Sequence, residues 1–285
     1  VLSYQHAFHA GNHADVIKHL CWLGVINHLN KKAKPYTLID THAGNGIYPL
    51  DSEQALKTHE YKSGIDVVRQ QQAAGGLLGD YQKLCERYLS LNQYPGSPAV
   101  SVSAARAGDH LHLMELHPAA FQDLSARISG IGCEPQLHLH HRDGLEGGIA
   151  LCPPTPKRGA VLIDPPYERK AEYQEVQAAV EKMLKRWRSA QLVVWYPLLS
   201  ERAGEKCGAS ERMIRKLGQS GNTAFCAELI VLDRSQDPGM YGSGVCVINP
   251  AWQLDTELEQ ALKEVTRWMG PSSSYRINWL KTEQS

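Results

Sequence analysis

The sequence predicts an α/β fold, a mostly parallel sheet covered by helices on both faces, with a small helical insertion. Short apolar runs of strand character recur, and several of them end at or just before an acidic residue. Between them lie stretches whose apolar residues recur every three or four positions, the period of an amphipathic helix. One long segment, residues 51–93, keeps the helical period but contains no strand. Strand and helix in alternation imply parallel strands joined by crossovers that cover both faces.

Taken in order, Val16, Leu20, Leu23 and Ile26 mark a first helix that Asn12 is placed to cap. The run Tyr36 to Ile39 ends at Asp40. Tyr61, Ile65 and Val68, then Leu78, Tyr81, Leu84, Tyr88 and Leu91, fit two amphipathic helices split by Gly75-Gly76; two ordinary crossover helices would read the same way. Leu111 to Met114 ends at Glu115, Leu137 and Leu139 precede His141, and Val161 to Ile163 ends at Asp164. Phe121, Leu124 and Ile128 mark another helix, as do Tyr173, Val176, Val180, Met183 and Trp187. Leu192 to Tyr196, Leu229 to Leu232 and Val245 to Ile248 complete a seven-stranded sheet. Asp237-Pro238-Gly239 and Gly242 to Gly244 suggest that the last two strands form an antiparallel hairpin at the sheet's end.

Composition narrows the function. Hydrophobic residues at 42% and charged residues at 21% fit an ordinary packed core rather than disorder. No apolar run approaches the ~20 residues of a membrane span, and the first residues lack the pattern of a secretory signal. The cysteines at 21, 85, 133, 152, 207, 226 and 246 are widely spaced with no C-x-x-C. That opposes a disulfide framework or thiolate zinc site and suits a reducing cytoplasm. Lys plus Arg equals Asp plus Glu at 30 each. A polyanion partner would therefore need positive charge gathered on one face. Basic residues do gather at Lys182, Lys185, Arg186 and Arg188 and again from Arg202 to Lys216, in stripes able to meet phosphates or simply solvated.

Asp164-Pro165-Pro166-Tyr167 carries the chemistry most sharply. It ends a strand, where open α/β sheets place ligands. Paired prolines hold a stiff turn and donate no amide hydrogens. An adenine amino group is a poor nucleophile; a carboxylate and a carbonyl can each accept one of its hydrogens and orient it, while an aromatic ring stacks on the base. A plain helix-entry turn is the alternative. Asp40-Thr41-His42-Ala43-Gly44-Asn45-Gly46 gives a strand, an acid and a turn whose glycines allow close approach to a ligand. Pro49 stands where G-x-G-x-x-G needs its third glycine, and no P-loop signature occurs, which opposes a dinucleotide dehydrogenase and a P-loop NTPase. Glu115 could accept from ribose hydroxyls and Asp143-Gly144 could meet a nucleotide's adenine; either acid could instead be a helix cap. His110, His112, His138, His140 and His141 alternate on strands without the ligand spacing of a zinc enzyme, so no metal is expected.

The stretch Leu2-Ser3-Tyr4-x-His6-x-Phe8-His9-Ala10-Gly11-Asn12-His13-Ala14-Asp15-Val16 with Lys18-His19 resembles the opening of the RlmJ-type bacterial 23S ribosomal RNA adenine-N6 methyltransferases. The likeness continues through Asp40 to Gly44, Tyr94 to Pro98, Glu115 to Pro118, Asp164 to Tyr167, Trp195 to Pro197 and Val247 to Pro250. It implies a Rossmann-like class I S-adenosylmethionine-dependent methyltransferase, with residues 1–50 and 94–285 as the catalytic domain and 51–93 as a helical insertion subdomain. It implies cofactor contacts at Lys18, His19, His42, Gly44, Ser97, Glu115, Asp143, Gly144 and Asp164, with S-adenosylhomocysteine as product. By the same likeness Asp164, Pro165 and Tyr167 handle the target amine, and Tyr4 and His6 lie at the substrate. A monomer acting in the cytoplasm on protein-free or early-assembly 23S ribosomal RNA is implied. The family also has an older association with the use of external DNA. DNA adenine-N6 or RNA guanine-N2 methylation, and a non-catalytic DNA-utilisation factor, are the competing readings.

Overall fold

A computed structural model describes residues 4–131, 135–235 and 239–282. Leu2-Ser3 of the opening stretch, Cys133, and Asp237-Pro238 of the expected hairpin turn lie outside the described residues.

After a 3₁₀ turn at His6–Phe8, the helix α1 (His13–Asn30) leads to β1 (Thr37–Asp40) and β2 (Ile47–Pro49). Next come α2 (Glu53–Thr58), a 3₁₀ turn at Glu60–Ser63, α3 (Ile65–Arg69), α4 (Gly76–Leu89) and β3 (Gln93–Pro95). The chain proceeds through α5 (Ser97–Ala104), β4 (His110–Glu115), α6 (Pro118–Ser129), β5 (Gln136–His141), α7 (Gly144–Leu151) and β6 (Gly159–Ile163). It ends with α8 (Ala171–Arg186), β7 (Gln191–Leu199), α9 (Ala209–Gly218), β8 (Ala224–Ile230), β9 (Met240–Ile248), α10 (Leu254–Met269) and β10 (Ser274–Lys281).

The main sheet has the order β10-β8-β9-β7-β6-β1-β4-β5. β5, β4, β1, β6 and β7 are mutually parallel; β9 is antiparallel to both β7 and β8. This is the mostly parallel sheet that the likeness implies, with one strand added. Seven strands are expected from the sequence and eight are found, because β10 pairs antiparallel with the free edge of β8. Tyr275, Ile277 and Trp279 carry its period of two. β8 and β9 are antiparallel neighbours as expected, but β10 covers the outer edge of β8, so that pair does not end the sheet. Between β2 and β3, which pair with each other, three helices stand where two are expected: Tyr61 falls in the 3₁₀ turn and Gly75-Gly76 opens α4.

Two cores flank the sheet, one under α1, α4, α5, α6 and α10 and one under α7, α8 and α9. α1 crosses the first of these, and fourteen of its eighteen residues are buried. Asn12 caps it, its side chain accepting from the amides of Ala14 and Asp15. A helix apolar on every side is sandwiched rather than amphipathic. Asp15, Lys18 and His19 on such a helix are therefore buried polar groups that require partners.

Candidate active site

The carboxyl ends of β1, β4, β5 and β6 lie at one edge of the sheet because these strands are parallel. Above that edge opens a cleft of about 660 Å³. Tyr4, His6, Lys18, His19, His42, Gly44, Ser97, Glu115, Asp143, Gly144, Asp164, Pro165 and Tyr167 all line it. Every residue to which the likeness assigns a cofactor or substrate contact thus lines one cavity, drawn from segments far apart in the chain.

On the β1 side, the glycine loop is bound to its neighbours. The Thr41 amide donates to Leu162, the Ala43 amide to Met114, and the Gly44 amide to the Glu115 carboxylate at 2.9 Å. Glu115 also accepts from the His117 amide at 2.7 Å. Gly44 sits at φ +58°, and a Cβ there would meet the Tyr48 hydroxyl at 2.2 Å. At Gly144 a Cβ would lie 1.6 Å from the Thr41 carbonyl, so the loop after β1 and the start of α7 touch only because this residue is glycine. Asp143 caps α7, accepting from the Glu146 amide at 2.8 Å, and also faces the cleft. The helix-cap reading of this acid therefore holds, and its position at the cleft leaves it beside any ligand bound there.

Ser97 donates to Asp40 at 2.6 Å, and the His42 amide donates to the same carboxylate at 3.2 Å. Burial pushes Asp40 up to about 6 against those two bonds. Burial likewise pushes His42 down to about 4 and His19 down to about 3, which makes both rings neutral near pH 7. His19 Nδ1 lies 2.8 Å from the Tyr94 hydroxyl.

The other side is a chain of charge. Lys18 Nζ bridges Asp164 at 2.5 Å and Asp15 at 2.8 Å. Asp15 accepts from the Gly11 amide at 2.8 Å and pairs with His6 Nε2 at 2.9 Å. The Tyr4 hydroxyl is 2.9 Å from His6 Nδ1, and its ring stacks on His9. His9 and Asn12 in turn meet Glu60 at 2.8 and 2.9 Å, which ties the N-terminal segment to the helices between β2 and β3. Burial raises Asp15, but His6 and Lys18 outweigh it and hold this carboxyl well below the usual range. Burial pushes Asp164 up, against the pull of Lys18. The two carboxylates outweigh burial at Lys18 and keep it an ammonium.

Sequence reasoning missed Asp15 as the node of this network. The Asp15-x-x-Lys18 spacing on a helix with no polar face was the available signal. The sequence set the ring of the Asp164-Pro165-Pro166-Tyr167 turn against the base and placed Tyr4 at the substrate. Tyr167 is 2% exposed at φ +50°, packs on Tyr173 and Trp195, and donates its hydroxyl to the Trp195 carbonyl at 2.9 Å. Tyr4 is 37% exposed. Among the described residues, no group of three or more His, Cys, Asp or Glu is placed to hold a metal ion. His110, His138, His112 and His140 instead stack on one another across β4 and β5, at ring separations of 4.4–5.5 Å. Also among the described residues, no helix is long and apolar enough to cross a membrane.

The family model described as ribosomal RNA large subunit methyltransferase D, RlmJ, matches residues 33–281. "Ribosomal RNA large subunit methyltransferase J" of Escherichia coli (strain K12) is 35% identical over 289 residues, covering 99% of this chain and 100% of that protein. Its namesake in Haemophilus influenzae is 34% identical, with coverage of 99% and 100%. The crystal structure of protein LPL1258 from Legionella pneumophila superposes with a TM-score of 0.85 at 33% identity, covering 95% of this chain and 98% of that one.

Proposed function

The chain belongs to the RlmJ family of ribosomal RNA large subunit methyltransferases, and from that premise we propose that it methylates N6 of an adenine in 23S ribosomal RNA, using S-adenosylmethionine and leaving S-adenosylhomocysteine. The observation that carries this reading is that Asp164 and the glycine loop after β1 line one cleft. The cleft suits the donor. Its volume, about 660 Å³, falls in the range of small-molecule sites. Glu115 and Asp143 offer acceptors for hydroxyl and amino groups, and the glycines at 44 and 144 let the loop after β1 pack tightly against Tyr48 and the start of α7, which sets the cleft's floor.

When bound, S-adenosylmethionine supplies a methyl group on a positively charged sulfur. His42, Gly44, Glu115, Asp143 and Gly144 hold that ligand. His19 and Ser97 act behind them, Ser97 by fixing Asp40. Asp164 and the Pro165 carbonyl would each accept a hydrogen bond from one amino hydrogen of an adenine turned out of its stack, at a cost of a few kcal/mol, and so direct the nitrogen lone pair. Lys18 fixes the Asp164 carboxylate. Tyr167 anchors the turn from below, and Tyr4 with His6 covers the base. Residues 1–50 and 94–285 form the catalytic domain and 51–93 an inserted subdomain that braces the N-terminal segment through Glu60. The enzyme acts as a monomer in the cytoplasm, on rRNA that is protein-free or early in assembly.

The test is labelled methyl transfer to protein-free 23S rRNA, with genomic DNA for comparison and nucleoside analysis of the product. N6-methyladenosine from RNA is expected. N2-methylguanosine, or N6-methyldeoxyadenosine from DNA alone, would replace this reading. Asp164→Ala should retain donor binding and lose transfer; unchanged turnover refutes its assigned role.

A further inference from the structure

The end of the sheet opposite the cleft is strongly basic. Lys32 and Lys34 lie in the loop before β1, Arg106 in the loop before β4, Lys157 and Arg158 in the loop before β6, and Arg186 at the end of α8. These loops are joined into one surface. Arg106 donates to the carbonyls of Lys32 at 3.0 Å and Lys34 at 3.4 Å. Arg158 donates to the same Lys34 carbonyl at 2.7 Å and also to Leu29. Arg186 donates to Cys152, at the head of the loop before β6, at 2.7 Å. The guanidinium groups of Arg106 and Arg158 also lie over the Tyr36 ring, at 5.4 and 5.8 Å.

Little opposes this charge. The described residues of these loops carry one carboxylate, Asp109, which is 1% exposed and bonded to Arg106 and the Tyr36 amide. Lys32, Lys34 and Lys157 are exposed. Among the described residues no carboxylate pairs with them, whereas Lys31 beside them is engaged by Glu257. Burial and the charge of Arg106 hold Arg158 below the usual guanidinium range, and the buried Asp109 offsets them only in part. In a chain with equal numbers of basic and acidic residues, 30 of each, this is a segregation of charge rather than a general excess. Repulsion of this kind is relieved by a polyanion, whose condensed counterions are released on contact.

We propose that this basic pole is a second RNA-binding surface, which takes the phosphate backbone of an rRNA segment distinct from the one that enters the cleft. The choice of rRNA as the polyanion rests on the function proposed above. β1, only four residues long, spans about 13 Å at ~3.3 Å per residue. The two surfaces are thus close but face opposite ways, and one helical segment seated in the cleft cannot also lie on the pole. A folded rRNA domain can supply both segments, and a short hairpin cannot.

The test compares wild type with the triple variant Lys32→Glu, Lys34→Glu, Lys157→Glu. Each binds a long 23S rRNA fragment and a short hairpin containing the methylated adenine, over a range of KCl. Losing three phosphate contacts should lower the slope of log affinity against log salt by about 2–3 on the long fragment. Affinity there at 0.15 M salt should fall about tenfold or more, while hairpin binding and kcat stay at wild-type values. An unchanged slope on the long fragment overturns the proposal. So does an equal loss on the hairpin, or an equal loss in a control carrying Lys62→Glu, Lys83→Glu and Lys263→Glu on other faces. Binding is read apart from turnover, so a wild type that binds the fragment without methylating adenine defeats the functional reading and leaves the pole still testable.

Discussion

Asp15→Asn is the sharpest single perturbation of the site. The side chain is fully buried and accepts from Gly11, His6 and Lys18. Asparagine keeps the shape but has one oxygen fewer and no charge, so at least one of these bonds is lost and Lys18 is left with Asp164 alone. Breaking a buried ion pair by removing one partner costs about 3–5 kcal/mol. At about 2–4 °C per kcal/mol for a chain of this order of size, Tm should fall by about 6–20 °C. Asp15 also seats His6 and, through it, Tyr4, so methyl transfer should fall at least about tenfold, a loss of only ~1.4 kcal/mol at the transition state. The pH dependence follows from the depressed carboxyl. Its contribution is fully present above the ordinary value of 3.8 and is lost as pH falls through the lower folded value. The gap in Tm between wild type and variant should therefore hold from pH 8 to about 5 and narrow only below 3.8. Thermal unfolding followed by circular dichroism across that range is the assay. A variant within about 2 °C of wild type at pH 7, less than ~1 kcal/mol, would refute the reasoning. A gap that closes between pH 8 and 6 would do the same, since a carboxyl this depressed cannot titrate there.

Other perturbations separate the two sides of the cleft. Gly144→Ala would drive a Cβ to 1.6 Å from the Thr41 carbonyl; calorimetry should find donor binding lost, and normal affinity would mean that the two loops can part without consequence. Ser97→Ala removes a bond that holds Asp40, against burial, at about 6. A raised carboxyl loses stability as pH climbs past 3.8 toward the folded value. The variant raises it further, so its Tm deficit should grow from pH 5 to 8; a deficit independent of pH would rule out this coupling. Tyr167→Phe deletes the bond to the Trp195 carbonyl and should cost about 1 kcal/mol of stability in a denaturant titration. Transfer should be largely retained, because that hydroxyl points into the core.

Local signals in the sequence reached far. The apolar runs before Asp40, Glu115, His141 and Asp164 became β1, β4, β5 and β6, and Asn12 caps α1. Both depend on neighbours a few residues away, where period and capping chemistry operate. The proline turn after Ile163 announced itself for the same reason. The eighth strand did not: β10 gains its partner from β8, more than forty residues earlier, and an edge strand's alternation means little until its neighbour is known.

The charge network was less legible still. The spacing of Asp15 and Lys18 fits an exposed helix face as well as a buried pair, because the sequence does not say which sides of a helix are covered. Packing of α1 between the sheet and the helices α4, α5 and α10 removed water from both residues and brought Lys18 to Asp164, 146 positions away. On the other face of the sheet, packing against Tyr173 and Trp195 turned Tyr167 into the core, while Tyr4 stayed at the opening. Residue types and spacing set which groups could do chemistry. Burial and long-range approach, which no local pattern encodes, decided which of them meet and in what charge state.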